Sequence, residues 1–247
     1  MITNSQSGTR IDEVAPSIYR IATPAPQVIG GFSFNQYLIA GPEPLLFHTG
    51  PRGMFPLVSE AIAAVLPVES LRWVSFSHFE ADECGSLNDF LGRAPRALPL
   101  CGQVGAMVSI NDIAVRQARP LSDGEVLDLG ERRVRWLDAP HLPHGWDCGY
   151  LFEETTKTLL CGDLFTQPGA EHKPVTEGDI LGPSEAMRAQ MDYYAHSPAT
   201  AALIEKLAAT KPRNLACMHG SAWSGDGSRL LLELSRSLAA TRMAAVA

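Results

Sequence analysis

The chain has 247 residues, 45% of them apolar, enough for one large domain or two small ones with a sizeable core. Its formal net charge is −7 with no block of like charges, which argues against the basic face a nucleic-acid partner requires. No run approaches the roughly 18 apolar residues of a membrane span, and the N-terminal "MITNSQSGTR" lacks the apolar run of a signal peptide.

The first half reads as short strands: "SIYRIA", "FSFNQYLIAG", "PLLFHTG" and "LRWVSFSH". Between the last two, "FPLVSEAIAAVL" spaces its apolar residues as a helix does. The middle continues with "EVLDLG", "RRVRWLDA" and "GYLFEETTKTLLCGD", the last a hairpin with polar "EETTK" at its turn. The final third is helical over "GPSEAMRAQMDYYAH", "SPATAALIEKLAAT" and "GSRLLLELSRSLAATRMAA", with a short strand, "NLACMH", before the last. Strands with interleaved helices predict an α/β layered architecture. Five cysteines, an odd number without a C-x-x-C pair, suit a reducing cytoplasm.

The densest chemistry is "SHFEADECG", where His78, Glu80, Asp82 and Glu83 follow the apolar strand "WVSFS". Rigid strands position the loops at their ends, so functional residues collect there. Imidazole nitrogen with carboxylate oxygen suits iron, zinc or manganese. Alone, such a stretch reads equally as a solvated acidic turn. Three further strand ends change that balance: His141 and His144 follow "RRVRWLDA", Asp163 follows "LLCG", and His219 closes "NLACMH". Four strand ends that each deliver His or Asp point to one metal site.

These motifs resemble the metallo-β-lactamase fold, and more specifically flavodiiron proteins and their flavodoxin-free relatives, the oxygen-binding diiron proteins. "IYRIA" and "FNQYLI" resemble the family's opening strands. "SHFEADECGS" resembles its H-x-E-x-D motif, "HLPHGW" its H-W-P-D-S segment, and "CMHGSAW" its S-H-G-P-x-W segment. The stretch "MRAQMDYYAHSPATAALIEKL" resembles the helical part between the last two ligands.

The resemblance implies a single metallo-β-lactamase-like domain over residues 1–247, folded as a four-layer αββα sandwich. It implies one metal held by His78, Glu80 and His141, a second held by His219 with Asp82, and Asp163 as the bridge. Zinc hydrolases of this fold usually place histidine where Glu80 stands, and a harder oxygen donor favours iron or manganese. Two iron ions are therefore expected, with zinc or manganese as alternatives and no flavin. The implied function is binding or reduction of O2, NO or peroxide by a dimer served by a separate electron donor. A hydrolase of an ester, thioester or lactone is the alternative, and a non-enzymatic oxygen or redox sensor a third reading.

Three positions depart from the family pattern. Glu83 stands where the family often has histidine, and either ligates the second metal or points away. The H-x-P alignment favours His141 as the ligand and leaves His144 as a supporting or substrate-contacting residue. His48 replaces the aspartate of "DTG", either to support a ligand loop or as a structural histidine. Cys84, Cys148, Cys161 and Cys217 all neighbour proposed ligands and read first as small buried apolar residues.

Overall fold

A computed structural model of the protein describes residues 1–28 and 30–246. Eight strands form the first sheet in sequence order: β1 (Ile2–Asn4), β2 (Thr9–Ala15), β3 (Ile18–Ala25), β4 (Phe32–Ile39), β5 (Leu45–Phe47), β6 (Trp73–Ser75), β7 (Leu98–Gly102) and β8 (Arg119–Leu121). Pairing is antiparallel from β1 to β5 and parallel from β5 to β8. The central β5 and β6 are buried along their whole length, as expected of strands covered on both faces.

The second sheet contains β9 (Val126–Asp128), β10 (Arg133–Asp138), β11 (Gly149–Glu153), β12 (Thr158–Leu160), β13 (Val175–Thr176), β14 (Asn214–Ala216) and β15 (Ala222–Ser224). Its order is β13-β15-β14-β12-β11-β10-β9. The expected hairpin is β11–β12, with Leu151 opposite Leu160. The helices are α1 (Phe55–Ala63), α2 (Ala81–Cys84), α3 (Leu87–Arg93), α4 (Gln103–Gly105), α5 (Asn111–Ile113), α6 (Leu181–Met191), α7 (Thr200–Ala209) and α8 (Gly227–Val246).

The period-2 alternation of the strands sorts the core into three layers. Tyr37, Phe47, Leu100, Trp136, Leu151 and Leu160 pack between the sheets. On the outer face of the first sheet, Leu38, Leu46 and Val74 meet Val58 and Ile62 of α1 and Phe90 of α3. On the outer face of the second, Phe152, Leu159 and Leu215 meet Ile204 and Leu207 of α7 and Leu231 and Leu234 of α8. Helix, sheet, sheet, helix is the four-layer αββα order expected from the sequence.

Two differences have physical causes. β1 and β2 were not expected, because "TRIDEVA" carries three charges in seven residues. Those charges sit next to the edge of the sheet, and Thr9, Ile11 and Ala15 are the buried residues that anchor β2. The helix expected through His196 stops at Met191, because Asp192 takes a left-handed conformation at φ 46°. The chain then places the Tyr193 carbonyl beside the His144 loop.

Candidate metal centre

The strand ends converge at one end of the sandwich. His78 lies on the bend that follows β6, Glu80 is the extended residue that leads into α2, and Asp82 lies in the first turn of α2. His144 lies on the loop after β10, Asp163 follows β12, and His219 follows β14. Donors from both sheets thus meet, which none of the four segments could achieve alone.

Glu80 Oε2 lies 2.9 Å from His78 Nε2 and 3.1 Å from His144 Nε2. Both imidazole nitrogens are 3.8 Å from Asp163 Oδ2. One ligand atom from each of His78, Glu80, His144 and Asp163 lies within 4.8 Å of all the others. The other Asp163 oxygen, Oδ1, lies 3.2 Å from His219 Nε2, which in turn is 3.6 Å from Asp82 Oδ2. Asp163 therefore faces two donor sets, one through each oxygen.

The structure gathers His144, not the expected His141, into this group. His141 is exposed, has φ 63°, and uses its N–H to bond the Gly145 carbonyl at 2.7 Å, so that its loop turns outward. His144 is instead fixed by its Nδ1, 3.0 Å from the Tyr193 carbonyl, which leaves Nε2 facing Glu80. Gly145 makes the approach possible, since a Cβ there would stand 2.6 Å from the His78 Cβ. The H-x-P spacing could not show this, because it counts residues and not the direction of the turn. Gly145 beside His144 was the available signal.

The other histidines follow the same rule. His219 directs Nδ1 at the Ser33 carbonyl, 2.8 Å away, and its ring packs 4.2 Å from that of Phe32. His78 Nδ1 lies 3.0 Å from Ser77 Oγ and 3.3 Å from Glu83 Oε1. An oxygen behind each ring favours the tautomer whose Nε2 is free for a cation. All three Nε2 atoms converge on Asp163.

Glu83 points away from the cluster. It is fully buried and accepts the Ser77 N–H at 2.8 Å, the Ser77 hydroxyl at 2.7 Å and the His78 N–H at 3.2 Å. His48 Nε2 approaches the same carboxylate, at Oε2, to 3.1 Å. Glu83 is thus a buttress behind His78, and His48, itself buried at φ 65°, stands one step further back. The thiols are packing residues: Cys161 and Cys217, 3.9 Å apart, sit in the helix-facing core, and burial pushes Cys84 and Cys101 up to about 12.

Proton affinities show that the cluster calls for positive charge. Burial would lower the His78 pKa, but the nearby Glu83 charge reverses this and raises it. His144 is raised by its bond to Glu80, and His219 is raised by Asp163 against the effect of its own burial. Glu80 is held far below its usual range by His144 and His78. Asp82 is pushed up to about 6 by burial and by the Asp163 charge. Protons on the histidines stand where cations would otherwise balance the carboxylates. Asp163 Oδ1 is buried with His219 Nε2, at 3.2 Å, its near neighbour but not in good hydrogen-bonding geometry, an arrangement that a bound cation would satisfy. The residues present therefore fit a pair of divalent metal ions in a nitrogen-and-oxygen donor set.

The chain resembles known proteins in sequence and in fold. An anaerobic nitric oxide reductase flavorubredoxin of Aeromonas hydrophila is 24% identical over 213 residues, covering 82% of this chain and 42% of the relative. The chain thus spans less than half the length of that relative. Among solved structures, rubredoxin oxygen:oxidoreductase of Desulfovibrio gigas superimposes with a TM-score of 0.80 at 20% identity, covering 91% of this chain and 60% of the other. A 1–254 fragment of a diflavin flavoprotein from Nostoc sp. superimposes with a TM-score of 0.81 at 15% identity, covering 97% and 98% respectively. These structures share the fold. Residues 32–220, which include every residue of the metal cluster, match the ODP family beta lactamase, and the chain belongs to that family.

Proposed function

We propose that this chain is the metal-holding core of a diiron protein that binds or reduces O2 or NO. The observation that carries the reading is Asp163, set between a His78/Glu80/His144 group and a His219/Asp82 group. The names of relatives, nitric oxide reductase and oxygen oxidoreductase, support the choice of substrates.

In this reading His78, Glu80, His144 and Asp163 hold the first ion, and His219, Asp82 and Asp163 hold the second. Two ferrous ions, when bound, supply electrons to a diatomic gas. The three carboxylates offset most of the dications' charge and favour the oxidised state. The same negative charge weakens the Lewis acidity that a hydrolase uses to polarise a carbonyl. Glu80 stays anionic at all ordinary pH values because two imidazoles face it. Glu83 keeps His78 in the tautomer that presents Nε2. Phe32 and Phe34 cover His219 and limit water there. His219, Asp82 and Asp163 would give the second ion fewer protein donors than the first group would give its own, so this side of the cluster is the one we assign to gas access.

The reading extends to a single domain over 1–247, a cytoplasmic location that keeps five thiols reduced, a homodimer, and electrons from a separate donor rather than a flavin on this chain. Exposed Phe79 and Trp146, next in sequence to the Glu80 and His144 segments, are suitable contacts for that donor. No helix among the described residues is long and apolar enough to cross a membrane.

The test is elemental analysis and Mössbauer spectroscopy of protein made in iron-replete cells, followed by anaerobic reduction and mixing with O2 or NO. The expected result is a pair of irons per chain, gas consumption, and a new near-ultraviolet or visible band. A single zinc with no iron, or a reduced iron form inert to both gases while the zinc form cleaves a thioester or lactone, overturns the proposal.

A further inference from the structure

A second polar feature lies away from the metal cluster. A groove of about 560 Å³ opens between β2–β3 of the first sheet and the 170–174 segment of the second half. Arg10, Arg20, Ser33, Glu171 and Lys173 contribute to its lining. In a chain of net charge −7 this groove is locally basic, with Glu171 its only lining acid.

Arg20 is the unusual member. Its side chain is 1% exposed, yet no carboxylate pairs with it among the described residues. Nη2 donates to the Gly220 carbonyl at 2.7 Å and the guanidinium neighbours the Tyr37 hydroxyl, while the buried Nε and Nη1 find no acceptor in hydrogen-bonding geometry. A guanidinium does not shed its charge at any ordinary pH. The carboxylate that faces it across the strands, Asp12, is engaged by Arg10, and burial of so weakly compensated a cation pulls the Arg20 pKa down. Arg10 on the neighbouring strand is already held by Asp12, at 2.5 and 3.0 Å. Lys173 makes no ion pair among the described residues and is exposed at the rim. The Ser33 hydroxyl oxygen accepts the Gly220 N–H at 3.0 Å and keeps its own proton free to donate.

We propose that this groove binds a phosphate group, as inorganic phosphate or on a phosphorylated small molecule, with Arg20 as the buried anchor and Lys173 at the rim. A phosphate has the charge to compensate Arg20 and enough oxygens to take Arg20, Ser33 and Lys173 together. The site is separate from the metal donors but adjoins one of them: Arg20 and Ser33 both hold Gly220, and the Ser33 carbonyl fixes His219. Occupancy should therefore brace the His219 arm. The proposal does not depend on which metal the centre holds.

The test is calorimetric titration and thermal unfolding of the metal-loaded protein with sodium phosphate, and separately with a nucleoside monophosphate, against sodium chloride at equal ionic strength. Saturable binding of one phosphate per chain is expected. Equal affinity for the two identifies the free ion as ligand, and tighter binding of the nucleotide identifies an organic phosphate. Arg20→Met should abolish binding and raise the unfolding temperature of the ligand-free protein, since the uncompensated charge is gone. Phosphate held by the metals would persist in that variant. Lys173→Ala, at an exposed position, should fold normally and weaken binding about five-fold. No saturable binding beyond chloride, undiminished binding in Arg20→Met, or unchanged affinity in Lys173→Ala where Arg20→Met fails to fold, overturns the proposal.

Discussion

On one side of Asp163, Glu80 stands within hydrogen-bonding range of both His78 and His144; on the other, His219 has Asp82 beside it, at 3.6 Å. The first group is braced from behind by Glu83, which holds Ser77 and His78 through both backbone and side chain. It also opens outward, since Glu80 is 52% exposed. The second group is braced by the Ser33 carbonyl and covered by Phe32 and Phe34. One half thus has a full donor set in a rigid frame, and the other has fewer donors in a drier setting. A full set fixes a metal, whereas an incomplete set leaves room for a ligand that must come and go.

The comparison breaks altogether if its shared member is removed. Asp163→Asn keeps the shape but withdraws the charge that both halves use. It should drop metal content towards zero and gas consumption by about 100-fold or more. Loss of one ion only would mean that Asp163 belongs to one half.

The next test separates the two candidate histidines of the 141–144 loop. His144→Ala should remove the ion of the first half and leave His219 and Asp82 with theirs. His141→Ala should retain both, because that residue is exposed and turned outward. Metal stoichiometry of the two variants decides, and the opposite pattern would restore His141.

Glu83→Gln probes the brace alone. The amide keeps the volume but loses the charge that faces His78 Nδ1 and accepts the Ser77 and His78 N–H groups. Affinity for the first ion should fall about 10-fold, with a stability cost of ~2 kcal/mol. Affinity for the second ion should be unchanged. An equal effect on both would show that Glu83 supports the end of the sandwich generally, not one half of the centre.

Much of this was legible in the sequence, for reasons that differ by residue. His78, Glu80, Asp163 and His219 each end an apolar strand, and strand ends are visible as a change from buried to polar composition. The α/β class followed from apolar strands interleaved with amphipathic helices, and the four-layer order from the resemblance of the strand-end motifs to the metallo-β-lactamase fold. Choosing between His141 and His144 required the path of a loop, set by Gly145 against His78 and by the Tyr193 carbonyl, a partner 49 residues away. Glu83 was ambiguous because a four-residue helix can turn its side chain to either face of the loop. Arg20 gave no sign at all: inside "SIYRIA" it reads as the exposed residue of an alternating strand, and only the second sheet packed over it makes it buried.

The smallest effect concerns the weaker half of the centre without its metal. Burial and the Asp163 charge push Asp82 up to about 6 in the fold, from an ordinary 3.8. The sign follows from linkage. Below 3.8 the group is protonated in both folded and unfolded chains and contributes nothing to a pH dependence. As pH rises through 6 the unfolded chain has already ionised it freely, while the folded chain must ionise it beside Asp163, so metal-free protein loses stability. The interval corresponds to at most ~3 kcal/mol, reduced by the partial exposure of Asp82. Asp82→Asn removes the titrating group. Its metal-free form should therefore unfold at a higher temperature than the parent at pH 8, and the gap should close as pH falls to about 4. With metal bound the order should reverse, because the carboxylate then faces a cation. The same proton competes with the metal, so below pH 6 Asp82 should add to the pH dependence of the second half's affinity, beyond the proton competition that the raised histidines impose on both halves. A gap between the two metal-free proteins that does not vary with pH would mean that Asp82 does not share its space with the Asp163 charge, and the two halves would then differ in donor count alone.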